Sequence, residues 1–236
     1  MGRGSDCDGG DSVTFSLAGR CARTGMFGAV VTSSSPAVAS RCVWARSGVG
    51  VACTQNVTDP TLGPKLLDQL ADGLPAQAAM DHVVAHAAYP EFRQLTVVDA
   101  AGEVASYSGT STLGTHVVAT GVDAVAAGNL LSSEKVPQAM IEAFEADPGL
   151  HLADRLLAGL RAGEEAGGEE GPVHSCGLLV VADAEWPLID LRVDWADDPI
   201  TRLAEVWQVW QPQAEDYTLR ARRPDLAPSY GVPGDE

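Results

Sequence analysis

Thr14 stands at the mouth of a short apolar, β-branched run, Val13-Thr-Phe-Ser-Leu-Ala-Gly-Arg20, and is the residue whose type and place could carry chemistry unaided. A threonine whose own backbone amine is free is nucleophile and base in one residue, because the amine takes the hydroxyl proton as the oxygen attacks a carbonyl. That chemistry is amide hydrolysis through a threonyl ester. The competing reading makes Thr14 an ordinary first-strand residue with its hydroxyl at a sheet rim.

Other chemistries find less support. His82 and His86 have the i, i+4 spacing of metal ligands, but Val83 stands where a zinc protease carries its glutamate and no third ligand is evident, so no metal is expected. No Gly-x-Ser-x-Gly elbow supports a serine hydrolase. The five cysteines, Cys7, Cys21, Cys42, Cys53 and Cys176, form no C-x-x-C pair and are odd in number, which argues for reduced, packed thiols over a zinc site or a disulfide framework. A formal charge of -17 makes nucleic acid an unsuitable partner. No signal peptide or membrane-spanning run is visible, so the expected location is cytoplasmic, away from membranes. The run Glu164-Glu-Ala-Gly-Gly-Glu-Glu-Gly171 reads as a solvated acidic loop, since neighbouring like charges repel.

The elements that must position Thr14 follow from the apolar pattern. Its run and Met26-Phe-Gly-Ala-Val-Val-Thr-Ser33 make a hairpin across Arg23-Thr24-Gly25, so Ser33 ends beside the mouth of the first strand. A second hairpin, Arg41 to Thr54, turns at Ser47-Gly48. A two-residue turn there sets Arg46 opposite Val49, Trp44 opposite Val51 and Cys42 opposite Cys53. Helices follow on Leu62, Leu66, Leu67 and Leu70, then from Pro75 on Met80, Val83, Val84 and Ala87. Four strands come next: Arg93–Asp99, Glu103–Ser108, Thr115–Thr120 and Asp123–Gly128, the last pair joined at Gly121-Val122. A helix capped by Ser133 carries Val136, Met140 and Phe144, and another carries Leu152, Leu156, Leu157 and Leu160. Strands Val173–Ala182 and Leu188–Trp195 lead to a helix with Ile200, Leu203, Val206, Trp207 and Trp210 inward, ended by Pro212. Strands and helices are bunched rather than alternating, which predicts two stacked antiparallel sheets flanked by helices. Residues 1–13 read as a flexible leader missing from the mature protein, 14–211 as one domain, and 212–236 as an extended tail on its own surface or on a partner chain.

Seven blocks in order resemble the bacterial family catalogued as domain of unknown function 1028: Thr14-Phe-Ser-Leu-Ala, Gly28-Ala-Val-Val-Thr-Ser33, Trp44-Ala-Arg-Ser-Gly-Val-Gly50 with Thr54-Gln55, Arg93-Gln-Leu-Thr-Val-Val-Asp99, Gly128-Asn-Leu-Leu131, Ser175-Cys-Gly-Leu-Leu-Val-Val181 and Asp190-Leu-Arg-Val-Asp194. The resemblance implies an α+β fold of the N-terminal-nucleophile (Ntn) hydrolase kind, a four-layer αββα sandwich, and by analogy amide hydrolysis. Members commonly read Ala-Ser-Arg where this chain has Thr32-Ser33-Ser34, so an anion-binding arginine is absent. Members also often begin with Met directly before the threonine. Here a peptide nitrogen precedes Thr14 unless the leader is removed or translation starts at a GTG codon for Val13.

Alongside Thr14, the resemblance gives further site residues their roles. Ser33 hydrogen-bonds the Thr14 amine or a strand-end backbone group. Arg46, at the hairpin tip, lowers the nucleophile's pKa from the place proteasome-like enzymes use for a basic residue, or is a solvated turn arginine. Asn129 donates its amide to a tetrahedral oxyanion or makes a local turn. Gln55 orients substrate. The expected function is hydrolysis of a non-peptide carbon-nitrogen bond in a small linear or cyclic amide, with no cofactor, in a homodimer or larger homo-oligomer. The alternative is a non-catalytic binding or assembly protein on the same scaffold.

Overall fold

The computed structural model describes residues 13–232. In chain order the elements are β1 (Thr14–Arg20), β2 (Phe27–Ser33), the one-turn helix α1 (Ala39–Cys42), β3 (Val43–Arg46), β4 (Gly50–Gln55), α2 (Leu62–Ala71), α3 (Ala76–His86), β5 (Gln94–Asp99), β6 (Val104–Ser108), β7 (Val117–Gly121), β8 (Ala124–Asn129), α4 (Val136–Glu145), α5 (Leu152–Glu165), β9 (Ser175–Val181), β10 (Ile189–Val193), α6 (Pro199–Trp210) and α7 (Ala214–Arg222). The leader, apart from Val13, lies outside the described residues. No helix among them is long and apolar enough to cross a membrane.

The strands form two antiparallel sheets, β10-β9-β2-β1-β8-β7 and β3-β4-β5-β6. Three apolar layers build the sandwich. Phe15 and Leu17 pack with Met140, Phe144, Leu156 and Leu203 between the larger sheet and α4, α5 and α6. Ala18, Val31, Val51, Val98 and Val125 fill the space between the sheets. Leu66, Met80, Leu95 and Val97 join the smaller sheet to α2 and α3. The result is the α+β, four-layer αββα sandwich that the bunched elements predict. Strand alternation then decides where Thr14 looks. Phe15 and Leu17 face the helices, so Thr14, Ser16 and Ala18 face the other sheet.

The second hairpin departs from expectation by one residue. The Val49 N–H donates to the Arg46 carbonyl at 3.1 Å, and Gly48 takes a left-handed φ of +69°. The loop therefore holds three residues rather than two, and every pairing shifts. Arg46 faces Gly50, Trp44 faces Ala52 and Cys53 faces Val43. Cys42 is not in the strand at all; it ends α1. Between β7 and β8 the two-residue loop is kept but moves one residue along, so that Gly121 pairs with Ala124 and the loop is Val122-Asp123. Asp123 adopts a left-handed φ of 59°, steadied by the Arg20 guanidinium at 2.7 Å from its carboxylate. Ser133 sits two residues before Lys135, whose N–H it accepts at 3.2 Å, and α4 starts one residue later.

The chain after Pro212 is not extended. Its prolines at 212, 224, 228 and 233 lie outside Ala214–Arg222, which is free to wind as α7. Glu215 and Asp216 in the first turn and Arg220 and Arg222 in the last complement the helix dipole. Tyr217 stacks on Trp210 with ring centroids 5.0 Å apart, and Arg222 pairs with Asp183 at 2.9 Å.

Candidate functional site

Register brings four polar side chains into one row across the larger sheet. Thr14 lies opposite Ser33 on one side and Asn129 on the other, and Ser33 lies opposite Ser175. All four are buried and belong to the strand face turned toward the smaller sheet. A second row, Gln55, Gln94 and Ser108, runs across β4, β5 and β6. The two rows meet at one end of the inter-sheet layer, where the apolar filling gives way to hydrogen bonds.

Those bonds have a direction. Ser16 Oγ donates to Gln55 Oε1 at 2.9 Å, and Gln55 Nε2 donates to Gln94 Oε1 at 2.8 Å. Gln94 Nε2 donates to Ser108 Oγ and to the Gly128 carbonyl, each at 3.2 Å. A carbonyl only accepts, so the Gln94 amide is fixed with its oxygen toward Asn129. Asn129 Nδ2 donates to that oxygen at 3.2 Å, which leaves Asn129 Oδ1 buried without a partner. Gln94 is a site residue that strand periodicity alone did not single out.

Around Thr14 the hydroxyls form a relay. Thr14 Oγ1 donates to Ser33 Oγ at 3.3 Å, and Ser33 Oγ in turn donates to the carbonyl oxygen of Val13, the residue joined to Thr14 nitrogen. The Ser35 N–H donates to Ser33 Oγ at 3.1 Å and helps hold it. Val13 is gripped at its other end as well, its N–H donating to Ser34 Oγ at 3.3 Å.

The acidic run is not a solvated loop. Glu164 and Glu165 finish α5, and the rest turns back along Leu130-Leu131, with Ser132 N–H on the Gly168 carbonyl at 3.1 Å and Glu170 N–H on the Leu130 carbonyl at 3.2 Å. Glu169 is thereby buried. Its Oε2 accepts from the Ser34 N–H at 3.1 Å, while Oε1 has no partner. Burial pushes its carboxyl up to about 8, with the Ser34 backbone and hydroxyl groups offsetting part of that rise. The glycines around it let the chain turn inward, and a count of like charges could not reveal that.

Backbone strain clusters at the same end. Each of the two strands carrying Asn129 and Gln55 is followed at once by left-handed non-glycine residues: Leu130 at φ 48°, and Asn56 and Val57 at φ 58° and 50°. Such conformations persist only where surroundings fix them, and they gather at functional sites. Asn56 supplies part of that fixing, with Nδ2 on the Phe92 carbonyl at 3.1 Å and Oδ1 accepting the Leu113 N–H at 2.9 Å.

Arg46 is not brought to Thr14. It pairs with Gly50, at the end of β4 opposite Gln55, and binds Asp68 of α2 at 2.8 Å in an exposed ion pair. The next residue, Ser47, donates to the Ala182 carbonyl just beyond the far end of β9 from Ser175. Cys53 lies in the inter-sheet core, where burial pushes its thiol up to about 12. His82 and His86 lie side by side on an exposed face of α3, their rings tilted by 32° with centroids 4.5 Å apart.

The model of a family of unknown function, DUF1028, matches residues 14–203, from Thr14 itself through both polar rows and Glu169. The chain belongs to the DUF1028 family. The solved structure of the DUF1028 protein SPO2555 from Silicibacter pomeroyi is 29% identical, with a TM-score of 0.78 over 84% of this chain and 89% of that one. A more distant likeness is to Anbu, the ancestral beta-subunit from Yersinia bercovieri, at 7% identity and a TM-score of 0.41, over 92% of this chain and 100% of that one. Among curated proteins nothing matches. Within the DUF1028 match lie every hydroxyl and amide of the two rows, whereas α7 lies beyond it.

Proposed function

We propose that this DUF1028 protein is an Ntn-type hydrolase that cleaves a non-peptide carbon-nitrogen bond of a small linear or cyclic amide, with Thr14 as nucleophile. The observation that carries the reading is the relay from Thr14 Oγ1 through Ser33 Oγ to the Val13 carbonyl oxygen. Such an order of donors lets Ser33 take the threonine proton as it passes its own to the attacked oxygen, so that neither hydroxyl is left charged.

In the form that retains Val13, Thr14 nitrogen is a peptide nitrogen and cannot serve as base. Attack of Oγ1 on the Val13 carbonyl carbon forms a carbon-oxygen bond. Collapse then breaks the carbon-nitrogen bond, the nitrogen takes a proton to become the free Thr14 amine, and water hydrolyses the resulting ester, releasing the leader as an acid and restoring the Oγ1 hydroxyl. Translation starting at the Val13 codon, with the initiator methionine trimmed, reaches the same end. The freed amine then acts as base toward an external amide, whose acyl group passes to Oγ1 and on to water. Ser33 continues as donor to the oxyanion, and Asn129, on the other flank of Thr14, retains one amide hydrogen beyond the one given to Gln94. Gln55 acts through Gln94 in orienting that amide.

Intact mass and N-terminal sequencing of natively expressed protein, combined with ammonia release from a panel of linear and cyclic amides, test this reading. Thr14 is expected as the first residue of the active form. Turnover by a chain that still carries Val13 would overturn it.

A further inference from the structure

Before Val13 is removed, it holds the position of the acyl group that Thr14 receives, because its carbonyl carbon is the one bonded to Thr14 nitrogen and nearest in bonding to the relay. Its contacts therefore describe what the acyl site accepts. The carbonyl oxygen takes the Ser33 hydroxyl. One carbon away, the Val13 N–H donates to Ser34 Oγ at 3.3 Å. Ser34 is anchored where it accepts, because its own N–H donates to Glu169 Oε2 at 3.1 Å. Glu169 is nine-tenths buried and its other oxygen is unpaired, so the acceptor is held by a group that water does not compete for.

We infer that Ser34, held by Glu169, is an acceptor for a nitrogen-bound hydrogen on the carbon next to the scissile carbonyl, so that the substrates are amides of α-amino or α-acylamino acids. The inference rests on Thr14 as acyl acceptor. It adds a substrate class and two residues, Ser34 as a binding group and Glu169 as its positioning residue. A site that places an acceptor opposite this N–H disfavours an analogue lacking it, because that hydrogen bond is then lost.

The test uses binding, which does not depend on turnover. Calorimetry compares L-valinamide with isovaleramide, the same carbon skeleton without the amine, on a Thr14→Ala chain that begins at residue 14. That chain keeps all three apolar layers, since no member of them precedes Phe15. L-Valinamide is expected to bind at least about tenfold more tightly. Ser34→Ala, which retains the backbone bond to Glu169, should collapse that ratio toward one. The full-length Thr14→Ala chain, with Val13 in the site, should bind neither amide. Equal affinities, no binding by the shortened chain, or a ratio that survives Ser34→Ala each overturn the inference. A preserved ratio in binding with no ammonia release from L-valinamide by the chain with Thr14 first would sink the nucleophile reading and leave the Ser34 acceptor standing.

Discussion

Thr14 and Ser33 face one another across β1 and β2 with their hydroxyl oxygens 3.3 Å apart, and the Ser33 hydroxyl points on to the carbonyl of the residue before Thr14. If that bond is broken by the chain itself, Ser33→Ala removes the donor that stabilises its oxyanion. Loss of one such donor typically slows a reaction by roughly a hundred- to a thousandfold. A time course of intact mass should show uncleaved protein accumulating, with far-ultraviolet dichroism unchanged. Processing at the parent rate would remove Ser33 from the mechanism.

Thr14→Ala should abolish turnover and alter stability by less than about 1 kcal/mol, because the hydroxyl lies in a polar row rather than in an apolar layer. Thr14→Ser keeps the oxygen and should retain part of the activity. Urea midpoints and ammonia release on a confirmed substrate check both. Full activity in Thr14→Ala would move the catalytic centre elsewhere.

The legible part of this fold is the part written in apolar periodicity. Leu62, Leu66, Leu67 and Leu70 on α2, and Leu152, Leu156, Leu157 and Leu160 on α5, fall on the buried faces their spacing requires. Turn chemistry was less legible. Ser47-Gly48 marks a turn correctly, but glycine serves a two-residue and a three-residue loop alike, and the difference moved Cys42 out of the hairpin and changed every partner. Ser33 and Asn129 were visible as strand ends. Gln94 was not, since a glutamine within a strand looks solvent-facing until the opposing row is known. Glu169 was hidden most deeply, because its burial comes from pairing with Leu131, far away in sequence.

Gln94 should be the most damaging residue to lose in the second row. It joins Gln55, Asn129, Ser108 and the Gly128 carbonyl, so Gln94→Leu leaves several buried amide groups unpaired. A cost of about 2 to 4 kcal/mol is expected, at roughly 1 to 3 kcal/mol for each unsatisfied buried group. A double-mutant cycle with Asn129→Ala should give a coupling energy above about 0.5 kcal/mol. Additive effects would mean that Gln94 does not position Asn129.

Arg46→Ala should leave turnover unchanged and cost less than about 1 kcal/mol, as exposed ion pairs do. Steady-state kinetics on the confirmed substrate read the first expectation and urea unfolding the second. A rise in the pH at which activity appears, with kcat reduced, would mean that Arg46 acts on the nucleophile from a distance this structure does not support.

Glu169 should make stability depend on pH. Its ordinary value of 4.5 is raised to about 8 by burial, so the folded protein holds a proton that the unfolded chain releases between those values. A group raised on folding contributes stability below its unfolded value and loses it as pH climbs through the folded one. The parent should therefore weaken between about pH 5 and about pH 9, by an amount on the order of a few kcal/mol. Glu169→Gln keeps the shape and an acceptor for the Ser34 N–H but cannot ionise. Urea midpoints measured for both chains at the two ends of that range isolate this one residue, since all other titrating groups are common to them. The variant should match the parent at the acid end and exceed it at the alkaline end, and parallel curves would show that the Glu169 carboxyl is ionised in the folded protein throughout.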